Sequence, residues 1–385
     1  MKTDKKPTIL TITGSDSTGG SGVQADIKTI TLLGAYATSA ITTVTAQDTA
    51  GIQHYYDIPG SVLKMQVDSI IADLQPDAVK IGMLRTQEQV SLIAQILREN
   101  KIGCVILDSV AISSRGNILM SKDLLQMVVK EIFPLCTAIT IKTDSAMYLL
   151  DEGHPDSNDN LAQMARRLLD FGGKAVVLQG GAIAANSLTD VLVTADNPSP
   201  TYFTRPGFID RNTIHGAGGA FSSALATFIC KGYNMQAAIE HAIEYISQLI
   251  LRNVGANEEK TKHILDHTNH KSQTAISTRM LELYNSLMNL IATHHTSHAD
   301  VAFYANNLNV TSRYLAQITN KVAGRTPKDL IDDYIIKEVE AQLISTTKNI
   351  QEIAFSFGFS TQAQFNKFFK KMRGCAPTLF RKQNS

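Results

Sequence analysis

Residues 301–324 read VAFYANNLNVTSRYLAQITNKVAG, and residues 350–373 read IQEIAFSFGFSTQAQFNKFFKKMR. Each is a short apolar helix, a tight turn, and a second helix with one apolar stripe and a polar outer face. This is a helix-turn-helix layout, present twice. In the first unit the turn falls near Asn309, and Thr311 or a neighbour caps a helix whose Tyr314, Leu315 and Ile318 point inward. Ser312, Arg313 and Gln317 are left outside. In the second unit Gly358-Phe359 supplies the turn and Ser360 is the expected N-cap. Phe365, Phe368, Phe369 and Met372 then recur at i, i+3, i+4 and i+7. The opposite face carries Gln362, Gln364, Asn366, Lys367 and Lys370. Arg, Gln and Asn can pair with base edges in the major groove while Lys and Arg hold phosphates, so double-stranded DNA is the expected partner. A long helix over residues 326–346 would set the separation of the two units.

Charge supports the same end of the chain. The formal net charge is +1, but from Ser286 onward there are 12 Lys and Arg against 7 Asp and Glu, a net +5. The remainder carries 24 against 28, a net −4. From Ser360 on there are six cations and no acid. A basic tail on a mildly acidic body predicts a nucleic-acid contact at one end.

With 385 residues, 44% hydrophobic and 18% charged, the chain is expected to form more than one globular domain. Its four cysteines are far apart and lack a CxxC pair, which argues against a zinc site or a disulfide framework. No secretory leader and no apolar run of about 18 residues is visible, so a cytoplasmic location with no membrane partner is expected.

Upstream, short apolar runs alternate with helical stretches: TILTIT at 8–13, then ATSAITTVTA, DAVKIGML, CVILDS, AITIK and AVVLQGG. That alternation predicts an α/β domain, a mostly parallel sheet with helices on both faces, closing with helices over 216–231 and 234–253. The domain is expected to span 1–254. Residues 255–285 are expected to form a linker and connecting helix, and 286–385 a DNA-binding domain. Residues 277–293 place Met280, Leu283, Leu287 and Ile291 on one face. That face either caps the DNA-binding domain or pairs with a second subunit; a homodimer is the expected assembly.

Three segments carry chemistry. Gly14–Thr29 (GSDSTGGSGVQADIKT) is a glycine-rich turn between strand and helix, with Asp26 just inside the helix. Thr45–Gly51 (TAQDTAG) and Lys80–Leu84 (KIGML) place Gln47 and Met83 at strand ends, where open α/β sheets bind ligands. Asn212–Phe228 (NTIHGAGGAFSSALATF) puts Gly216, Ala217, Gly218 and Gly219 ahead of a helix, a nest of N–H groups suited to an anion.

The C-terminal pattern, with Gly324, Ile353-Ala354, Gly358-Phe359, Phe365, Phe368-Phe369-Lys370 and Pro377…Arg381 in order, resembles the DNA-binding domain of AraC-type regulators over about 90 residues. The resemblance implies that Ser312, Arg313, Gln317, Gln362, Gln364, Asn366 and Lys367 touch DNA. The upstream segments together resemble the hydroxymethylpyrimidine (phosphate) kinase family of the ribokinase-like fold, which uses ATP and Mg²⁺ on a thiamine-precursor pyrimidine. Some relatives act on pyridoxal. By that resemblance Gly14, Asp26, Gln47 and Met83 bind the pyrimidine.

The chain departs from the family at the other end of the site. A Cys that serves as base is Gly219 here. Pro-Asn-x-x-Glu falls on Ile141–Ser145, Lys-Gly-Gly-His on Gln179–Ala182, and Asp-Pro-Val-Met on Asp108–Ala111. Loss of a general base typically costs about 10²–10⁴ in rate. The expectation is a pocket that senses the pyrimidine or its phosphate for a regulator of thiamine genes, with no catalytic residue, no resident metal and no cofactor. An active bifunctional pyrimidine or pyridoxal kinase that also binds DNA, using ATP and Mg²⁺, is the alternative. An empty dimerisation scaffold is a third reading.

Overall fold

A computed structural model describes residues 6–48, 51–113, 116–181, 187–197, 199–206, 215–256, 265, 267, 278–297, 300–346 and 348–384. The chain divides into two compact units, Met1–Asn269 and His270–Ser385.

The first unit is built on one nine-stranded sheet. Its strands are β1 (Thr8–Asp16), β2 (Tyr36–Asp48), β3 (Gly51–Asp57), β4 (Ala78–Ile81), β5 (Cys104–Ser109), β6 (Ala138–Lys142), β7 (Ala175–Gly181), β8 (Ser187–Thr194) and β9 (Thr201–Pro206), in the order β3-β2-β1-β4-β5-β6-β7-β8-β9. The six strands from β2 to β7 in that order run parallel; β3, β8 and β9 pair antiparallel at the two edges.

Strand alternation feeds two cores. Leu10 and Ile12 of β1, with Val105 and Leu107 of β5, face the helices α2 (Gly60–Leu74), α3 (Gln87–Glu99), α4 (Lys122–Glu131), α5 (Thr143–Leu150) and α6 (Asn158–Leu169). Ile9 and Ile106 face α1 (Gly22–Leu32), α7 (Ala217–Cys230) and α8 (Met235–Ala256). Each such side chain taken out of water contributes about 1.5–3 kcal/mol, which is why central strands buried on both faces read as unbroken apolar runs. Leu265 and His267, inside the stretch expected as a linker, are buried in this unit; Leu265 joins the second core and His267 Nδ1 lies 3.2 Å from the Tyr245 hydroxyl.

The second unit is all helical: α9 (Thr278–His294), α10 (Val301–Asn307), α11 (Ser312–Ala323), α12 (Pro327–Ser345), α13 (Ile350–Ser356), α14 (Gln362–Arg373) and α15 (Pro377–Asn384). Of the two roles left open for α9, packing within this unit is the one observed. It lies on α10, α11 and α12, with Tyr284, Leu287 and Ile291 buried and Met280 and Leu283 half-buried.

The caps explain where the helices begin. Thr311 accepts the Tyr314 N–H at 3.1 Å, and Asn309 turns the chain with φ +53°. The cap of α14 is Thr361, not Ser360: its hydroxyl accepts the Gln364 N–H at 3.2 Å. Phe359 packs edge-to-face on Phe365 and at a tilt on Phe368, at 5.3 and 5.2 Å between ring centres, and this packing leaves Ser360 outside and brings the next hydroxyl to the cap. Gly358, at φ +75°, makes the turn before it; a Cβ there would meet the Thr296 carbonyl oxygen at 2.6 Å.

Candidate functional site

A cavity of about 350 Å³ opens at the C-terminal ends of the parallel strands. Gly14, Gln47 and Met83 line it, as do Gly216, Gly218 and Gly219, with Lys80, Asp108, Ser109, Lys142 and Ser145. Ala217 belongs to the same turn but does not line the cavity. Gly216 starts α7 at φ +92°, so tightly against the preceding loop that a Cβ would lie 1.7 Å from the Gly20 carbonyl oxygen. Only glycine fits there.

Asp26 does not line the cavity. It is fully buried on the inner face of α1, beneath Lys80. Lys80 Nζ lies 2.8 Å from Asp26 Oδ2, and both side chains are almost wholly buried (2% and 0% exposed). Thr11 Oγ1 donates to the same oxygen and Ser223 Oγ to the other, at 2.5 and 2.8 Å. A buried carboxylate is tolerated because both of its oxygens accept hydrogen bonds and an ammonium group balances its charge. Asp26 therefore holds Lys80 in place from beneath the cavity wall.

Asp108 sits beside that pair. Burial pushes its carboxyl pKa up, the Asp26 charge adds to the effect, and Lys80 and Lys142 oppose it. Thr140 Oγ1 is 3.4 Å from Asp108 Oδ1. A Cβ placed on Gly219 would lie 3.5 Å from Asp26 Oδ1, 3.8 Å from Asp108 Oδ2 and 3.8 Å from Lys80 Nζ. These are ordinary contacts, so crowding does not force glycine at this position. A Cβ on Gly218 would lie 3.3 Å from Lys142 Cε and 3.9 Å from its Nζ.

Gln47 Nε2 is 2.8 Å from His215 Nε2, which is also 2.8 Å from Asp16 Oδ2. One ring nitrogen cannot donate to Asp16 and accept from Gln47 together; with the proton on Nε2, the Gln47 amide presents its oxygen to the ring. Burial acts to raise the Asp16 pKa, but hydrogen bonds from His215, Ser21 and Thr18 outweigh it and hold the carboxyl well below the usual range. Those bonds also fix the loop Ser17–Gly22. Sequence reasoning passed over Asp16, Lys80 and His215, although each stands inside a segment quoted for its neighbours.

The reaction that the resemblance implies needs Mg²⁺. Ser145, at the position of the family's Glu, accepts the Ala111 and Ile112 N–H groups at 3.3 and 3.2 Å. Asp108 is faced by two lysines. Among the described residues no three His, Cys, Asp or Glu side chains gather as a metal set. Magnesium is usually held by one or two carboxylates together with phosphate and water oxygens, and the Asp108 carboxylate, already facing two ammonium groups, does not fit it. Gln179 is buried, and Ala182 lies outside the described residues.

In the second unit, α11 turns Leu315, Ile318 and Val322 inward and leaves Ser312, Arg313 and Gln317 exposed. On α14, Phe365 and Phe369 are buried; Gln364, Asn366, Lys367 and Lys370 are exposed and Gln362 is half-buried. Arg373 grips Glu340 with two nitrogens, at 2.5 and 2.8 Å, tying α14 to α12. Arg381 Nε donates to the Leu343 carbonyl at 2.9 Å, tying α15 to the same helix.

Residues 16–263 match the phosphomethylpyrimidine kinase family, and residues 304–383 match a helix-turn-helix domain. The hydroxymethylpyrimidine/phosphomethylpyrimidine kinase of Escherichia coli is 34% identical over 246 residues, covering 64% of this chain and 91% of that protein. The thiamine biosynthesis bifunctional protein ThiED of Geobacter sulfurreducens is 34% identical over 259 residues, 67% of this chain and 52% of that one, so this chain spans about half its length. Among solved structures, phosphomethylpyrimidine kinase from Clostridium difficile superposes with a TM-score of 0.55 at 29% identity, over 63% of this chain and 98% of that one. Pyridoxal kinase from Staphylococcus aureus in complex with pyridoxal gives 0.61 at 25% identity, over 70% and 96%. No helix among the described residues is long and apolar enough to cross a membrane.

Proposed function

The chain belongs to the phosphomethylpyrimidine kinase family, joined to an AraC-type helix-turn-helix domain, and from that membership we propose that it is a transcription regulator whose kinase-derived unit senses a thiamine-precursor pyrimidine. Hydroxymethylpyrimidine or its phosphate would sit against Gly14, Gln47 and Met83, and α11 and α14 would read promoter DNA. The observation that carries this reading is Gly219. It stands beside Asp26, Asp108 and Lys80 with no side chain to take a proton, while the end expected to hold the pyrimidine keeps its residues. Regulation on this reading needs neither ATP nor Mg²⁺. The ligand must favour one DNA-bound arrangement, of a homodimer or of the single chain, since equal affinity for two states shifts neither.

Titration calorimetry of the full chain with hydroxymethylpyrimidine, its phosphate and pyridoxal tests ligand binding; promoter binding with and without the bound compound tests the coupling. Absence of binding at millimolar concentration sinks the sensor.

The second reading, an active kinase, draws on two observations: a relative at 34% identity named as a kinase, and the Asp108 carboxylate close to Gly219. ATP consumption decides. Turnover of roughly 1–100 s⁻¹ would make the chain an enzyme. A Gly219→Cys variant, which the ordinary contacts at that Cβ allow to fold, is expected to raise residual activity by about 10²-fold or more if the missing base limits it.

A further inference from the structure

Within the pocket read as a sensor, we propose that Lys142 takes the place of a divalent cation, so that the cavity binds a phosphomonoester of its pyrimidine ligand with no metal. The inference rests on the pyrimidine reading above and adds to it the charge state of the ligand and the residues that select it.

Four features converge at the phosphate end. The first helical bond of α7 runs from the Ala220 N–H to the Gly216 carbonyl at 3.0 Å, and no side chain caps the helix. The N–H groups of Ala217, Gly218 and Gly219 therefore precede the helix's own ladder, at its positive end. Lys142, at the end of β6, reaches to Gly218 with its ammonium group. Lys80, held by Asp26, supplies a second ammonium group on the same wall. Ser109 lines the cavity too; it is only 4% exposed, and its hydroxyl has no hydrogen-bond partner. A buried hydroxyl without a partner is costly, and an oxyanion in the cavity would satisfy it.

The chemistry separates a monoester from a nucleoside triphosphate. A triphosphate carries charge that is normally screened by Mg²⁺ bridging its oxygens, and the donors here do not suit that ion. One phosphate group needs one cradle of N–H donors and a nearby cation, which α7 and Lys142 provide. Gly14, Gln47 and Met83 lie in the same cavity, so one small ligand can span both ends.

The test uses the full chain and four arms: the free pyrimidine alcohol, its phosphate ester, inorganic phosphate, and the ester with EDTA or with Mg²⁺. The ester is expected to bind roughly 10- to 100-fold tighter than the alcohol, equally in EDTA and in Mg²⁺. Lys142→Met should erase that preference, and Lys142→Arg should restore most of it. Ser109→Ala should weaken the ester by a few fold. A preference that persists in Lys142→Met, or that needs Mg²⁺, overturns the proposal while the pyrimidine sensor stands. Phosphate bound through Lys142 with no affinity for the alcohol or the ester leaves the anion site and removes the sensor. Binding of none of the probes removes both.

Discussion

The two units organise polar side chains in opposite ways. In the first, Asp26, Lys80, Thr11 and Ser223 form a buried network in which the carboxylate is surrounded by donors. In the second, Arg313, Gln317, Asn366 and Lys367 stand in solvent on helices whose inner faces are mostly apolar. A buried network couples stability to the site, because any lost member leaves a group stranded. An exposed face can be altered side chain by side chain without unfolding its helix.

That contrast can be broken in graded steps. Asp26→Ala removes the partner of a buried ammonium group and is expected to destabilise the first unit by about 3–5 kcal/mol, seen as a lower midpoint in denaturant. A loss under 1 kcal/mol would mean that Lys80 is not held by Asp26. Arg313→Ala and Gln362→Ala should leave the unfolding midpoint nearly unchanged and cost about 1–3 kcal/mol of discrimination at single base pairs, read by binding to a promoter and its point variants. Retained preference in both would remove α11 and α14 as the reading helices. Lys367→Ala should have the smallest effect, weakening all sequences alike and lowering the slope of log affinity against log salt by about 1.

The legibility of these features follows from the same contrast. Parallel strands such as β4 and β5 are buried on both faces, so their apolar runs announce them. The edge strand β3, GIQHYYD, is half polar and has no buried residue, and β8 and β9 reach the sheet only by antiparallel pairing; periodicity announces none of the three. The positions of Gln47 and Met83 at the cavity follow from strand ends. That of Asp26 does not: its spacing places it on a helix, but only tertiary packing brings it to Lys80, 54 residues away. Lys80 itself is concealed as one charge inside an apolar strand. At α14 two adjacent hydroxyls compete for one cap, and the ring packing of Phe359 decides between them. The exposed faces of α11 and α14 were legible because their apolar stripes define what remains outside.

The Arg373–Glu340 fork has a consequence for which DNA sites the proposed regulator can use. With α14 tied to the long spacer α12, the two helices proposed to read DNA would act as the jaws of a caliper set near one opening. Inserting a single base pair between the two contacted segments rotates one of them by roughly a tenth of a turn, and a caliper so set has little slack to follow. Cutting the fork would loosen that setting by no more than about 1 kcal/mol, because the buried Phe365 and Phe369 also hold α14.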